Sequence, residues 1–345
     1  MSLAVLGVLE PGLFSTIQDR GRPDWTRFGV PPGGACDQWS VAAANLLAGN
    51  DAGAAAVEMT IVGATFRVVA ATTIGLAGAD LGGVIRETGQ RLEPGRSHAL
   101  AEGSTVAFPG AVPGAAPDAA AGTLGCRGYL AISGGFDAPL VLGSASTLVS
   151  AGFGGLDGRP LREGDLLRGR SVASVAPVAS DVGRAWPIDD GDPFAKPNAE
   201  RPLRVVRGPS PAGIEALVTN AWRVGSGSDR VGLRLVGDQL PTAGRGELLS
   251  HGVVFGAIQV PSGGSPIVLL ADHQTTGGYP IVAVVISADH ARLGQLRPGA
   301  SVAFAEVSLD DARRALIEQR AALSRAAAIL REDAGWDALW RSAGG

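Results

Sequence analysis

Short runs of β-branched and aliphatic residues recur along the whole chain, each closed by Gly, Pro, Asp or Asn, and they leave little room for helices. Thr65–Val69, Thr73–Ala77, Thr105–Phe108, Tyr129–Ser133, Leu203–Arg207, Gly256–Val260, Ile267–Ala271, Ile281–Ser287 and Val302–Val307 all have this form. Too few helical segments separate them for repeated strand-helix-strand units, so the pattern predicts a mainly β fold of barrel or sandwich type. The punctuation is costly in glycine: 51 of 345 residues, about twice the usual share. With no every-third-residue period, these glycines mark turns and close approaches rather than a collagen-like or disordered chain.

Three helices have identifiable start signals. Asp37 precedes a segment with Trp39, Val41, Ala44 and Leu47 that stops at Gly49. Ser210-Pro211 is a cap and first-turn pair for a helix reaching about Trp222. Ser308 with Asp311 forms a capping box ahead of Leu309, Ala312, Leu316, Leu323, Ala327 and Leu330, an amphipathic C-terminal helix. Two stretches read as connectors: Pro109–Gly122, an excursion between strands, and the Pro- and Asp-rich Pro177–Pro202. The expected organisation is a β-barrel half over residues 1–176, a linker at 177–202, a second half over 203–307 and a helix at 308–345. Leu161-Arg-Glu-Gly-Asp-Leu-Leu parallels Leu296-Arg-Pro-Gly-Ala-Ser-Val near the ends of the two halves, which fits either tandem duplication or a recurring β-turn.

Several function classes are disfavoured by composition. A net charge of -4 argues against a nucleic-acid partner. Apolar runs such as Val68–Ala79 and Ile281–Ala288 are too short to span a bilayer, and Glu10 interrupts the N-terminal apolar stretch too early for a secretory signal. Two isolated cysteines, Cys36 and Cys126, suit a reduced cytoplasmic protein. Lys196 is the sole lysine, and it sits in the Pro-rich connector rather than in a phosphate loop. His98, His251, His273 and His290 are scattered without metal-ligand spacing, so no metal site is expected.

Polar and glycine clusters carry the remaining chemistry. Ser15–Arg22 contains Gln18, Asp19, Arg20 and Arg22; its arginines offer forked donors for a carboxylate or phosphate, or form an ion pair with Asp19. Gly134-Gly-Phe-Asp, Gly143-Ser-Ala-Ser-Thr and Gly152–Arg159 suit either close ligand approach or tight barrel corners. Ser228-Asp229-Arg230 repeats the Asp-Arg theme. At the end of an apolar run stand Asp272, His273, Gln274, Thr275 and Thr276, then two glycines and Tyr279, with Gln259 on the preceding strand. A base, amides and hydroxyls at a strand end make a candidate polar pocket.

These clusters carry a resemblance. Pro11-Gly-Leu, Thr16–Arg22, Gly29-Val-Pro, Gly34-Ala-Cys-Asp37, Asn45, Gly49-Asn50, Glu58-Met-Thr, Ser133-Gly-Gly-Phe-Asp, Leu142-Gly-Ser, Ser228–Gly232, Gly256–Pro261 and Asp272–Pro280 together resemble the allophanate hydrolase subunit 2 family. Its members are also known as the biotin-dependent carboxyltransferase family, as C-type subunits of 5-oxoprolinase, or as Kip antagonist. The resemblance implies tandem cyclophilin-like β-barrels, an allophanate hydrolase subunit 1-type partner and a LamB/YcsF-type third subunit. It further implies an ATP-dependent 5-oxoprolinase acting on a small amide, with ATP used by the complex and biotin not attached to this chain. The alternatives are a carboxyltransferase or allophanate hydrolase-type role in urea metabolism, or a non-catalytic regulator of subunit 1. Two positions depart from the family pattern: Cys36 stands where Met is common, and His251 where an acidic residue is common.

Either enzymatic role must hold a planar N–C=O group and stabilise charge on its oxygen. The expected assignment has Asp272 and Gln274 bracketing the amide, with Thr275 and Thr276 supplying hydroxyls. Gln18, Arg20, Arg22, Ser228, Asp229, Arg230, Gln259 and Tyr279 bind substrate, and Asp19, Asp37, His251 and His273 are further candidates.

Overall fold

Where an apolar run meets a Gly-containing tetrapeptide, the chain reverses at low steric cost, and this local chemistry sets the strand spacing. A computed structural model describes residues 2–110, 125–170, 183–187, 201–241 and 249–342. The chain forms two compact units: Met1–Gly21, Gln38–Lys196 and Ala321–Gly345 make the first, Arg22–Asp37 and Pro197–Arg320 the second.

The first unit contains β1 (Leu3–Glu10), β2 (Ser15–Gln18), α1 (Gln38–Leu47), β3 (Ala56–Thr60), β4 (Thr65–Val68), β5 (Thr72–Gly78), β6 (Val84–Ile85), β7 (Arg96–Leu100), β8 (Thr105–Ala107), β9 (Arg127–Ile132) and β10 (Leu166–Gly169). Two antiparallel sheets, ordered β10-β1-β4-β8-β6 and β2-β3-β9-β5-β7, share one core. Leu6, Phe66 and Val106 from the first meet Ile17, Val57, Ile74 and Leu130 from the second. Helix α1 is buried at every position after Gln38. It lies so close to β5 that a Cβ on Gly75 would stand 2.0 Å from the Ala44 carbonyl oxygen.

The second unit adds β11 (Leu203–Arg207), α2 (Ile214–Thr219), β12 (Trp222–Val224), β13 (Gly232–Val236), β14 (His251–Gly252), β15 (Ala257–Gln259), β16 (Ile267–Leu269), β17 (Thr276–Gly277), β18 (Ile281–Val285), α3 (His290–Gly294), β19 (Ser301–Val302) and β20 (Phe304–Glu306). Its main sheet runs β19-β12-β13-β16-β15-β18-β11-β20. The two edge strands are consecutive in sequence, separated by Ala303 alone, so the sheet nearly closes into a barrel. The mainly β expectation therefore holds. A final helix, α4 (Leu309–Ser342), starts at the expected box: Asp311 N–H donates to Ser308 Oγ at 3.1 Å. Leu323, Ala327 and Leu330 of α4 pack with Leu46 and Leu47 of α1.

Two expectations change. The helix read from Ser210 to Trp222 is only α2, because Gly213 enters the left-handed region (φ 93°) just before it. Trp222 opens β12 instead, buried, with its indole N–H donating to Leu217 O at 2.9 Å. Within the expected linker, the described residues 183–187 are built into the first unit: Ala185 bridges Arg96, and Trp186 meets Trp39 edge-on at 6.0 Å. Most of Pro177–Pro202 and of Pro109–Gly122 lies outside the described residues.

The apparent duplication has a local explanation. Asp165 N–H donates to Arg162 O, Gly164 N–H to Val8 O, and Val8 N–H to Asp165 O. Ala300, Arg297, Gly299 and Val224 repeat this pattern, and so do Ser104, Ala101, Gly103 and Val68. Each turn has a left-handed Gly at its third position (φ 86°, 85° and 80°), as a type II turn requires. Three copies of one strand-gripping turn, two of them within one unit, make the sequence parallel a property of the turn.

His290 supplies a pH test of the second barrel. Its Nε2–H donates to Val285 O at 3.2 Å, its ring stacks on Phe255 at 4.4 Å, and burial pushes its pKa down to about 4. The unfolded chain, titrating near 6.5, takes up the proton first. The stabilising contribution is therefore complete above pH 6.5 and lost as pH falls toward 4, by about 3 kcal/mol. Denaturant unfolding at pH 7 and pH 4 should show this loss in the wild type and a smaller one in His290→Gln.

Candidate functional site

The polar run after β16 is delivered by buried backbone. Leu270 N–H donates to Val231 O and Asp272 N–H to Arg230 O, so the pairing of β13 and β16 extends to Asp272. There Arg230 and Asp272 form a bidentate pair, Nε to Oδ2 at 2.9 Å and Nη2 to Oδ1 at 3.0 Å, with both residues buried. The same guanidinium donates to Gly34 O at 2.6 Å and reaches Cys36 Sγ at 3.4 Å. Gly33 N–H adds a bond to Ala271 O at 3.0 Å. One arginine thus clips the Arg22–Asp37 segment to the barrel strands of its own unit.

Past Asp272 the chain turns. His273 is buried, and burial holds its imidazole below the ordinary range. Its Nδ1–H donates to Gln274 O at 2.6 Å, so the neutral ring shapes the turn. The exposed Gln274 donates through Nε2 to Gln259 Oε1 at 3.3 Å, a long bond. Gln259 on β15 is 2% exposed, and its own Nε2 is buried without a hydrogen-bond partner among the described residues. A Cβ on Gly277 would fall 2.7 Å from that Nε2 and 3.4 Å from Gln274 Nε2, so glycine is what lets the two amides sit there. Across β14 and β17, His251 pairs with Gly277 and Gly252 with Thr276. Among the described residues, His251 Nε2 is also buried without a hydrogen-bond partner. Thr275 O accepts from Val253 N–H at 3.1 Å; the Thr276 side chain is exposed, and Tyr279 is 38% exposed.

The structure therefore brings Gln259, Gln274, Thr275, Thr276 and His251 into one loop cluster, and it revises the expectation for Asp272. A carboxylate gripped twice by a buried guanidinium anchors the loop; Gln259 is the amide partner of Gln274. Other candidates are committed elsewhere. Ser228 Oγ accepts from Arg234 N–H, and Asp229 Oδ1 accepts from Val231 and Gly232 N–H, so both build the turn before β13. Asp37 Oδ2 accepts from Gln295 Nε2 at 2.7 Å. Arg22 is enclosed at 2% exposure.

In the first unit, Asp19 centres a network different from the arginine ion pair that was one of the two alternatives for it. Asp19 Oδ1 accepts from Gly21 N–H, Ser144 Oγ and Ser146 Oγ at 2.5–2.7 Å, and Oδ2 from Ala145 N–H at 2.7 Å. Gln18 is buried, with Nε2 bonded to Thr16 Oγ1 and Thr147 O. Arg20 is exposed beside Gly53. Sequence reasoning missed the holding role of Gly34 and Cys36, although the Gly-Gly-Ala-Cys run was its visible signal.

A nearly closed barrel sheet with few helices defines a β-barrel protein of the kind seen in carboxyltransferase domains. The chain belongs to the carboxyltransferase domain family, subdomains A and B, matched over residues 28–306. It is 34% identical over 326 residues to the C-type subunit of the 5-oxoprolinase of Escherichia coli (strain K12), covering 92% of this chain and 96% of that protein. Among solved structures, TTHA0988 superimposes with a TM-score of 0.75 at 34% identity, over 88% of this chain and 56% of that one. Urea carboxylase of Kluyveromyces lactis superimposes with a TM-score of 0.80 at 26% identity, over 94% of this chain and 29% of that one. This chain thus spans about half of the first of those structures and under a third of the second. Among the described residues, no helix is long and apolar enough to cross a membrane.

Proposed function

We propose that this chain is a subunit of an ATP-dependent 5-oxoprolinase-type complex that opens the lactam of 5-oxoproline to glutamate, and that its second unit holds the lactam amide. The observation that carries this reading is Gln259: a buried side-chain amide with an unfilled donor, joined by a long bond to the exposed Gln274. An unmet buried donor costs about 1–3 kcal/mol, and an incoming carbonyl oxygen removes that cost. Gln274, once released from Gln259, offers its oxygen to the lactam N–H, so the planar amide is held at both ends. Thr275, Thr276 and Tyr279 supply hydroxyls around it, and Asp272 steadies the loop through Arg230.

Hydrolysis adds water across the lactam C–N bond, leaving a carboxylate and a free amine. ATP supplies the phosphoryl group that makes the amide reactive when it is bound in the assembled complex. Arg230, held by Asp272 and Gly34, is not offered to a triphosphate. The reading assigns ATP use to the cytoplasmic complex that this chain forms with allophanate hydrolase subunit 1-type and LamB/YcsF-type partners. The end-to-end similarity to a 5-oxoprolinase subunit, against partial coverage of urea carboxylase, favours lactam opening over carboxyl transfer to urea.

Gln259→Met keeps the volume and removes the donor. In the complex reconstituted with its partner subunits, it should assemble normally while kcat/KM for ATP-dependent 5-oxoproline turnover falls about 10-fold or more, the equivalent of one hydrogen bond. Wild-type turnover by this variant would remove Gln259 from amide binding, and a wild-type complex with no turnover would remove the 5-oxoprolinase assignment.

A further inference from the structure

Beside the unfilled donor of Gln259, the second unit holds a buried acceptor that the amide cluster has not yet used. Among the described residues, His251 Nε2 is buried with no hydrogen-bond partner. The other ring nitrogen, Nδ1, lies 3.4 Å from Leu249 O. A carbonyl oxygen only accepts, so Nδ1 carries the proton, and in the neutral ring Nε2 then presents a bare lone pair. A buried polar atom left in this way calls for an explanation.

Strand pairing brings this acceptor to the two glutamines. β14 and β17 are antiparallel, with His251 directly opposite Gly277. Directly opposed residues point to one face, with Cβ positions about 4.5–5.5 Å apart. Gly277 fixes which face: its Cβ position would stand 2.7 Å from Gln259 Nε2, 3.4 Å from Gln274 Nε2 and 3.5 Å from Val253 Cγ1. Val253, two residues after His251 and so on the same face, is buried in a cluster with Ala257, Leu269 and Ile281. Gly252 and Thr276 form the pair that points the other way, and both are exposed. The imidazole of His251 therefore borders the space over Gly277 that the two side-chain amides share.

We propose that His251 is a positioning residue: when the lactam binds, its Nε2 accepts the hydrogen bond that Gln274 Nε2 gives up at Gln259. The proposal rests on the reading that Gln259 and Gln274 hold the lactam amide. In the structure the Gln274 NH2 group is spent on Gln259 Oε1, at 3.3 Å. Gln274 turns its oxygen to the lactam N–H only when that NH2 group moves, and the moved donor needs an acceptor of its own. The bare nitrogen of His251 is the acceptor on that face. The exchange fixes the rotation of the Gln274 amide, so that its oxygen and not its nitrogen meets the ring N–H. A lactam alkylated on nitrogen carries no hydrogen for that oxygen and gains nothing from the exchange.

A double-mutant cycle in the complex reconstituted with its partner subunits tests this. Gln274→Met should lower kcat/KM for ATP-dependent 5-oxoproline turnover about 10-fold, and His251→Phe about fivefold or more. Because His251 acts through Gln274, the double variant should fall no more than about twofold below Gln274→Met alone. His251→Gln returns a neutral acceptor oxygen and should stay within about threefold of wild type, a recovery that a merely space-filling role would not give. Three results would each overturn the proposal and leave the lactam reading standing: losses that multiply in the double variant, a His251→Phe complex as active as wild type, or a His251→Gln loss as large as that of His251→Phe. A wild-type complex with no turnover would overturn both. If His251→Phe melts below the wild type, His251→Leu replaces it in the cycle under the same expectations.

Discussion

Arg230→Met should lower the unfolding free energy by about 3–5 kcal/mol, because it leaves the Asp272 carboxylate buried without its bidentate partner. Methionine fills much of the same volume, so the loss reports charge and hydrogen bonding rather than a cavity. The variant also frees Gly34 O and the neighbourhood of Cys36, loosening the Arg22–Asp37 segment from the strands. Limited proteolysis should then cut within 22–37 at protease levels that leave the wild type intact. Arg230→Met combined with Asp272→Leu should recover most of the lost stability, since replacing both members of a buried pair removes the uncompensated charge. A single variant within about 1 kcal/mol of wild type in urea unfolding would show that the pair does not bear the segment.

Asp19→Ala should cost about 3 kcal/mol or more, the second large effect. One carboxylate satisfies two serine hydroxyls and two backbone N–H groups, all buried or nearly so. Hydrogen bonds to a charged acceptor are stronger than neutral ones, and removing the acceptor strands every donor at once. Ser144→Ala and Ser146→Ala should each cost only about 1 kcal/mol, because in each case Asp19 keeps its other donors. Asp19→Asn separates charge from shape: its amide nitrogen, placed where Oδ2 stood, meets the Ala145 N–H donor to donor. Denaturation midpoints for the four variants should therefore rank Ala and Asn at position 19 far below either serine variant. Equal costs for Asp19→Ala and Ser144→Ala would remove Asp19 as the centre of the network.

The two networks explain why site residues were harder to read than strands. Ser308 and Asp311 are three residues apart, and the cap they form is the one their spacing indicates. Arg297-Pro-Gly-Ala likewise turns as its residue types dictate, with Pro and Gly at the positions a type II turn favours. Asp19, by contrast, could have paired with an adjacent arginine, yet three of the four hydrogen bonds to its carboxylate come from residues 144–146, over 120 positions away. Asp272 looked like a base at a pocket mouth and is held by an arginine 42 positions earlier. In sequence Gly49 marks the end of a helix and Gly134-Gly135 suits either close ligand approach or a barrel corner; that both line one cavity depends on how α1 and β9 pack.

Short β-branched runs and glycine turns were enough to establish a mainly β chain with few helices and a capped C-terminal helix. Those features depend on side-chain shape and on backbone angles within a few neighbouring residues, which a linear pattern records. Which polar groups are spent on each other, and which remain for a ligand, is settled by folding. A carboxylate, guanidinium or amide is claimed by whichever donor or acceptor the packed strands bring within 3 Å, and sequence distance has no bearing on that approach. Gln259 shows the difference most plainly: in sequence it is a lone polar residue in the apolar run Gly256–Val260, and in the barrel it is a buried amide whose Nε2 has no hydrogen-bond partner among the described residues.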